Sequence, residues 1–440
     1  MIFEELNLSV PLLKALADLE YVYPTPIQEK SFPVIMSGRN VVGIAQTGTG
    51  KTYAYLLPLL RQLTFSKQKD PRVLILAPTR ELVIQILNEV TKLTKYTQLR
   101  SSAIYGGTNI NSQKKLVYNG MDILVATPGR IIDLTLTGVL QLKSIQKLVI
   151  DEVDEMLSLG FRTQLTNLLD LLPVKRQNLM FSATLTSDVE ALIDNTVIAP
   201  QRIEIASHGT PIEKIIQIAY HIPNFNTKVN LLVHLLNKDD ELSKVLVFVS
   251  TKKLADRLYE QIEKIFGDKV GVTHSNKSHN YRINSLNQFQ EGTHRLLIST
   301  DIIARGMDIT DVTHVINFDM PDVPGDYLHR IGRTGRADKE GIAISFINQA
   351  EQVYQEYIEV LMAKRIPMEL LPENLVISNV YTEEERPSNL FDKNYLKAPS
   401  IKGSQGAFHD KKAKNKKLNL GSAYKRHPRY TKEGKRINRH

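Results

Sequence analysis

Residues 45–52 have the composition of a loop that binds phosphate groups. The segment reads AQTGTGKT, and its glycines allow backbone N–H groups to point at an anion next to the positive end of a following helix. The ammonium of Lys51 would reach the β- and γ-phosphates of ATP, and the Thr52 hydroxyl would bind Mg²⁺. The other residues expected to line this nucleotide site are Gln46, Thr47, Gly48, Thr49 and Gly50.

An acidic pair, Asp151 and Glu152, follows directly on the apolar run 148–150. A carboxylate at the end of a buried strand can hold Mg²⁺ through water, and a second one can orient and deprotonate an attacking water. In isolation such a pair is usually part of a solvated turn. The presence of Lys51 and Thr52 in the same chain favours the catalytic interpretation, with Asp151 as the metal-binding residue and Glu152 as the base.

Arginines recur every third residue in the segment HRIGRTGR at 329–336. If the segment is helical, Arg330, Arg333 and Arg336 lie one turn apart and project from one face. Arginine is the residue that stabilises the charge developing on a transferred phosphoryl group. The pattern therefore favours a contribution of these arginines to the site begun by Lys51, although taken alone it fits an ordinary basic helix start on a solvated surface equally well.

The elements that position these residues can be recognised as short apolar runs without alternation, which are typical of strands buried on both faces. Amphipathic segments such as 81–93 and 253–266 lie between them, and this alternation predicts parallel sheets flanked by helices. Polar clusters follow the strands, at the sheet edge where ligands gather. The predicted strands are 41–44, 73–77, 123–125, 148–150, 179–181, 245–249, 296–298, 315–318 and 342–346.

The pattern of strands and helices occurs twice, with a Gly- and Pro-containing break near 207–211. We therefore expect an α/β domain and a second one joined by a linker, followed by an extension in which apolar periodicity fades. The expected bounds are 1–205, 206–213, 214–370 and 371–440.

The net charge of +9 is concentrated at the carboxyl end. Residues 401–440 carry 13 lysines and arginines against two acids, a net of +11, which leaves −2 for residues 1–400. We expect a disordered basic tail that anchors structured or ribosomal RNA, although a solvated end that only aids solubility has the same composition. The chain has no cysteine, which excludes disulfides and thiolate catalysis and fits a reducing compartment. With no signal-like or membrane-spanning run, we expect a cytoplasmic protein.

The motifs, taken together in order and spacing, resemble the full series of the DEAD-box ATP-dependent RNA helicases, a family with two tandem RecA-like domains. The resemblance covers about residues 1–350, includes the region of the family's Q motif at about 1–29, and is of the bacterial type. The motifs are PTPIQ at 24–28, AQTGTGKT at 45–52, PTREL at 78–82, GG at 106–107, TPGR at 127–130, DEVD at 151–154, SAT at 182–184, STDIIARGMD at 299–308 and HRIGRTGR at 329–336.

The resemblance implies roles around the nucleotide. Gln28 would read the adenine edge, Tyr21 would stack on the base and Asp308 would contact the ribose. Arg333 and Arg336 would reach the γ-phosphate when the two domains close. The residues that the resemblance implies couple closure to hydrolysis are Ser182, Thr184, Asp154 and His329.

The resemblance also implies contacts to single-stranded or short duplex RNA. Hydroxyls, small residues and arginines of this kind bind the phosphate and sugar backbone and do not read base edges. The implied RNA-binding residues are Arg80, Gly107, Thr127 and Arg130 in the first domain, and Thr251 and Thr300 in the second.

Four residues depart from the family pattern: Glu20 stands where glycine is usual, Val153 replaces the alanine of the family's name, His279 replaces a glutamine, and Asp338 stands where glycine is common. None removes a catalytic group. The expected activity is unwinding of short duplexes, or remodelling of ribonucleoprotein, by RNA-stimulated ATP hydrolysis. A nucleotide-dependent RNA clamp without turnover and a DNA helicase remain alternatives. An ATPase assay with and without RNA would separate them.

Overall fold

The computed structural model describes residues 1–46, 48–205, 215–238, 242–301, 309, 312–335, 341–382 and 385. The chain divides into two units, Met1–Thr382 and Glu383–His440. The expected linker at 206–213 and nearly all of the basic tail lie outside the described residues, so the expectations about them are not addressed by the structure.

The first half of Met1–Thr382 contains a seven-stranded sheet in which all pairings are parallel. Its order is β3-β4-β2-β5-β6-β1-β7. The strands are β1 Val41–Ile44, β2 Val73–Leu76, β3 Ser101–Ile104, β4 Ile123–Ala126, β5 Lys147–Ile150, β6 Gln177–Ser182 and β7 Gln201–Glu204. The helices are α1 Val10–Asp18, α2 Pro26–Met36, α3 Lys51–Gln62, α4 Arg80–Leu93, α5 Ile110–Asn119, α6 Pro128–Leu136, α7 Val153–Ser158, α8 Arg162–Asp170 and α9 Ser187–Thr196, with a 3₁₀ turn at Phe3–Leu6.

The second half repeats the plan with a second parallel sheet of seven strands, in the order β10-β11-β9-β12-β13-β8-β14. The strands are β8 Ile215–His221, β9 Val245–Phe248, β10 Val270–Thr273, β11 Leu296–Ser299, β12 His314–Asn317, β13 Gly341–Ile347 and β14 Met368–Glu369. The described helices are α10 Phe225–Lys238, α11 Lys252–Phe266, α12 His279–Gln290, α13 Pro324–Ile331 and α14 Gln352–Met362, with 3₁₀ turns at Gly267–Lys269 and Gln349–Glu351.

The central strands are buried on both faces, which is why their sequences read as continuous apolar runs. Every residue of β2, β4, β9 and β11 is buried. Each large aliphatic side chain transferred from water into such a core stabilises the fold by about 1.5–3 kcal/mol. The prediction of two α/β domains with parallel sheets is confirmed, and all nine predicted strands are present. None of the described helices is long and apolar enough to cross a bilayer.

Residues 371–382 lie against α10 of the second half. Asn224, Asn226 and Asn230 donate side-chain hydrogen bonds to backbone carbonyls of this segment, at 2.6, 2.7 and 2.7 Å. Leu371 and Leu375 pack on the core beneath. Residues 371–382 are therefore packed against the second half by polar side chains on α10 and just before it, which leave no periodic signal in the segment itself.

Candidate functional site

The loop between β1 and α3 has the backbone of a phosphate-binding loop. Gly48 and Gly50 have φ angles of +80° and +88°, and a Cβ at Gly50 would lie 2.4 Å from the Gln28 Nε2 atom. Lys51 begins α3 and is buried, and its ammonium has no hydrogen-bond partner among the described residues. An unpaired buried cation is costly, so this ammonium is suited to an anionic ligand. Thr47 lies outside the described residues.

Gln28 and Tyr21 adjoin the same loop and helix. The Gln28 side chain accepts a hydrogen bond from Thr25 N at 3.0 Å and donates one to Gly50 O at 3.1 Å. The Tyr21 ring is half exposed and meets the edge of Tyr53, a residue of α3, with 5.4 Å between the ring centres. An aromatic face and an amide next to the loop suit a purine base, since a glutamine amide can pair with the adenine edge.

The acidic pair lies at the carboxyl end of β5. Asp151 Oδ2 accepts a hydrogen bond from the Tyr55 hydroxyl at 2.8 Å, and Oδ1 accepts one from Glu152 N at 3.0 Å. Burial and the neighbouring Glu152 charge raise the pKa of Asp151 to about 6, against the opposing effect of Lys51. Glu152 has a left-handed backbone, φ 50° and ψ 58°, at the start of α7. Backbone strain in a non-glycine residue of this kind concentrates at functional sites.

Asp151 and Thr52 fit the expected role of holding Mg²⁺ together with nucleotide phosphates. No group of three or more His, Cys, Asp or Glu side chains in the described part of the chain could hold a metal. Mg²⁺ in phosphoryl-transfer sites needs no such cage, because it binds through one or two carboxylates, water and substrate phosphates. The buried Asp151 carboxylate and the partly buried Thr52, next to the unpaired Lys51 ammonium, match that donor set.

Asp154 connects the two halves of the molecule. Its Oδ2 atom accepts hydrogen bonds from the Thr184 N–H and hydroxyl, both at 2.8 Å, and lies 3.6 Å from His329 Nε2 on α13. The Ser182 hydroxyl donates to Thr184 O at 2.8 Å and accepts from Asp154 N at 3.3 Å. Burial alone would raise the pKa of Asp154, but His329, Lys51 and Thr184 hold it well below its usual range. The structure thus brings together all four residues that the resemblance links to coupling.

The expectation that the arginines share one helical face is wrong. Helix α13 ends at Ile331, and Gly332 caps it. Beyond the cap, Thr334 donates its hydroxyl to Val312 O at 2.6 Å, which turns the chain toward the sheet. Arg330 is buried on the helix and bonds Asp301 at 2.6 and 2.8 Å. Arg333 is buried beyond the helix end, and Arg336 lies outside the described residues.

The expected RNA-binding residues of the first half follow neighbouring strands at one sheet edge. Arg80 begins α4 after β2, and its guanidinium stacks 4.8 Å from the centre of the Tyr105 ring. Gly107 follows β3 with φ +78°, and Thr127 follows β4. Arg130 is on α6, but its Nη1 atom donates to Thr108 O at 3.1 Å and to Gln113 Oε1 at 2.9 Å.

In the second half, Thr251 and Thr300 follow β9 and β11. The Thr251 hydroxyl caps α11 by accepting from Leu254 N at 3.2 Å, and the residue is exposed. Thr300 is buried, with 8% of its surface exposed. Asp308, expected at the ribose, lies outside the described residues, as does the side chain of His279.

Comparison with known proteins identifies the family. Residues 25–192 match the DEAD/DEAH box helicase family, and residues 227–338 match the helicase conserved C-terminal domain. The ATP-dependent RNA helicase RhlB of Pseudomonas syringae pv. tomato is 38% identical over 383 residues, 85% of this chain and 96% of that protein. RhlB of Shewanella oneidensis is 36% identical over 386 residues, 86% of this chain and 87% of that protein. The chain belongs to the DEAD-box RNA helicases.

Solved structures agree with this DEAD-box assignment. S. cerevisiae Dbp5 bound to RNA and ADP BeF3 is 31% identical, with a TM-score of 0.75, covering 84% of this chain and 95% of that chain. Mss116 bound to ssRNA and UDP-BeF is 27% identical, with a TM-score of 0.76, covering 87% of this chain and 80% of that chain. The two parallel sheets of this helicase are therefore tandem RecA-like domains.

Sequence reasoning missed one contact between the two domains of this DEAD-box helicase. Arg282 Nη1 on α12 lies 2.6 Å from Glu81 Oε1 on α4, and both side chains are about 12% exposed. Motif spacing gave no signal for the pair, because about 200 residues separate its members along the chain. The contacts of Gln113 were also missed, because Gln113 lies on α5, a helix that contains none of the motifs.

Proposed function

We propose that this chain is an RNA-stimulated ATPase that closes its two RecA-like domains over ATP, Mg²⁺ and single-stranded RNA. Closure separates short RNA duplexes or remodels ribonucleoprotein. The observation that carries the proposal is the Asp154 cluster, in which Thr184, just after β6, and His329 of the other domain meet one buried carboxylate. The relatives named as ATP-dependent RNA helicases support the same activity.

The nucleotide is held by both domains. Tyr21 stacks on adenine and Gln28 reads its edge, while the loop residues Gln46, Thr47, Gly48, Thr49 and Gly50 direct backbone N–H groups at the phosphates. Lys51 neutralises the β- and γ-phosphates, and Asp308 binds the ribose. Thr52 and Asp151 would hold Mg²⁺, which neutralises phosphate charge when bound.

Hydrolysis needs a positioned water and a stabilised phosphoryl group. Glu152 orients the water and accepts its proton. Its left-handed backbone holds the residue at the start of α7. Arg333 and Arg336 stabilise the charge on the transferred group once the domains close. The Asp154 cluster couples domain closure to the acidic pair, because Asp154 is only two residues from Glu152. Its other members are Ser182, Thr184 and His329.

RNA binds along the carboxyl ends of the strands in both domains. Arg80, Gly107, Thr127 and the loop held by Arg130 contact the backbone in the first domain, with Thr251 and Thr300 in the second. Backbone contacts are independent of base sequence, so the protein acts on many RNAs. A strand bound across both domains is bent when they close, and a bent strand cannot stay paired with its complement.

The substitution Glu152→Gln tests the catalytic assignment. We expect it to abolish RNA-stimulated ATP hydrolysis and to trap the closed complex, because the amide keeps the shape of the carboxylate but cannot accept the proton. A quenched time-course assay measures ATP hydrolysis, and a filter-binding assay measures RNA retention. Full RNA-stimulated turnover in E152Q would remove Glu152 from its role. Equal stimulation of the unsubstituted protein by single-stranded DNA would point to a DNA helicase.

The basic residues 401–440 anchor structured or ribosomal RNA by neutralising phosphates, and the protein acts in the cytoplasm. Deletion of residues 385–440 should weaken binding to structured RNA and flatten its dependence on salt, because fewer counterions are released. Binding titrations at several salt concentrations measure both quantities. An unchanged salt slope would refute the anchoring role.

A further inference from the structure

The short loop at residues 105–108, which contains the glycine pair, is fastened by two side chains from outside it. Arg130 Nη1 donates to Thr108 O at 3.1 Å and to Gln113 Oε1 at 2.9 Å. Gln113 Nε2 donates to Tyr105 O at 2.9 Å and to Thr108 Oγ1 at 2.8 Å. The two side chains therefore bond both ends of the loop and each other, and we call this set the loop clamp.

Gln113 and the partly buried Ile110 and Val117 hold α5 against the domain. Gln113 is 4% exposed, and it is the only residue of this described ten-residue helix that is buried. Its amide oxygen accepts a hydrogen bond from Arg130, and its amide nitrogen donates to the loop. A buried glutamine on a helix whose other residues are partly or fully exposed serves these hydrogen bonds, because a buried amide without them would cost stability.

The Arg130 guanidinium is directed into the protein. Its side chain is 13% exposed, and a third acceptor, the Asp133 carboxylate, lies 3.5 Å from Nε. Arg80 differs, since its guanidinium stacks on the Tyr105 ring and its Nη1 atom lies 3.7 Å from the position of a Cβ at Gly107. The Arg80 guanidinium lies at the surface of the loop, whereas the Arg130 guanidinium is used in hydrogen bonds within the domain.

We propose that Gln113 and Arg130 are positioning residues for RNA, and that Arg130 acts through the loop and makes no direct phosphate contact. The inference rests on the proposed RNA-binding role of Arg80 and Gly107. A loop held in one conformation before binding loses less entropy when RNA arrives, so the clamp raises affinity without touching the ligand. A direct phosphate contact instead contributes through counterion release, which gives the two roles different dependences on salt.

The test compares three variants with the unsubstituted protein: Q113M and R130Q, which remove the clamp, and R80Q as the matched loss of one arginine. Affinity for a fluorescent single-stranded RNA is measured over a series of salt concentrations with a non-hydrolysable ATP analogue. Q113M and R130Q should each weaken binding about fivefold, which corresponds to the net loss of one hydrogen bond. Neither should change the slope of log affinity against log salt, whereas R80Q should reduce its magnitude by about 0.7.

A double-mutant cycle supplies a second measurement. If the two residues act as one clamp, Q113M with R130Q should weaken binding little more than either alone. The proposal is overturned if R130Q reduces the salt slope as R80Q does while Q113M binds like the unsubstituted protein. If none of the three variants affects RNA affinity, it is the proposed RNA-binding face that fails. Far-UV circular dichroism and the melting temperature check that each variant is folded.

Discussion

At the scale of single residues, two glutamates adopt a backbone that normally belongs to glycine. Glu20 and Glu152 have φ angles of 59° and 50°. The left-handed conformation costs a residue with a Cβ about 1–2 kcal/mol. At Glu152 the strain accompanies a carboxylate next to Asp151. At Glu20, which precedes Tyr21, the residue is exposed, and DEAD-box sequences usually have glycine at this position.

We therefore predict that Glu20→Gly stabilises the first domain. Relief of the left-handed strain exceeds the extra chain entropy that glycine loses on folding, so the gain should be about 0.5–1 kcal/mol. The measurement is the melting temperature, which should rise by about 2 °C. Glu20→Ala is the control, because it removes the same carboxylate but keeps the Cβ. An equal rise in E20A would assign the effect to charge and contradict the explanation.

At the scale of elements, one buried carboxylate joins the starts of three adjacent strands. Asp122, just before β4, pairs with Arg72 at 2.8 Å just before β2, and with Arg100 at 3.1 Å just before β3. Its side chain is fully buried. Burial acts to raise the pKa of Asp122, but the hydrogen bonds from Arg100 and Arg72 outweigh it and hold that pKa below its usual range.

Asp122→Asn should destabilise the first domain by about 2 kcal/mol, since hydrogen bonds to charged groups are lost from two arginines. Because the folded pKa is below the unfolded one, the contribution is complete above about pH 4 and is lost as pH falls through the folded value. Thermal melting by circular dichroism at pH 7 and at about pH 2, below the unfolded pKa, should show a smaller gap between D122N and the unsubstituted protein at the lower pH. A gap that does not shrink would mean the carboxylate charge contributes nothing.

The strands that sequence could predict are those buried on both faces. Of the five strands that it missed, β10 is buried throughout but is a short VGVT run interrupted by glycine, and the other four differ in composition. In the first sheet, the edge strand β7 has three exposed residues of four, and β3, at the opposite edge, begins with two serines. Strand β8 alternates between buried and exposed positions, and β14 has only two residues. An edge strand is specified by the neighbour to which its backbone bonds, and that neighbour leaves no pattern in the edge strand's own sequence.

Site residues followed the same division. Lys51, Asp151 and Glu152 were predictable because their chemistry requires a residue type at a fixed spacing. The clamp residue Gln113 was not, since its role depends on a carbonyl that the fold brings to it. The arginines were placed on one helix because the spacing of three matches a turn, but Gly332 ends that helix first.

At the scale of the whole molecule, the ion pair of Glu81 with Arg282 joins the two domains. Reversal of either charge, E81R or R282E, should raise the RNA concentration for half-maximal ATP hydrolysis about tenfold, because like charges then face each other across a partly buried contact. The double variant should recover most of the affinity, since the pair is restored with opposite polarity. RNA-stimulated ATPase titrations of all four proteins measure the coupling.

The control is the surface pair Arg162 and Asp188, which lies within one domain and is largely exposed. Its reversal should have little effect, since exposed pairs contribute less than about 1 kcal/mol. If the double variant of Glu81 and Arg282 is no better than the single ones, the pair does not stabilise the closed arrangement.

The two sheets have the same strand order, and each is built from one unbroken stretch of chain with no strand exchanged between them. On the ribosome, all seven strands of the first sheet have been synthesised by Glu204, before β8 begins at Ile215. Domains generally fold as units during synthesis, beginning at the amino end. The loop that holds phosphates can therefore take its shape while the arginines that complete the site have yet to be translated, so the nascent chain can bind a nucleotide that it cannot yet hydrolyse.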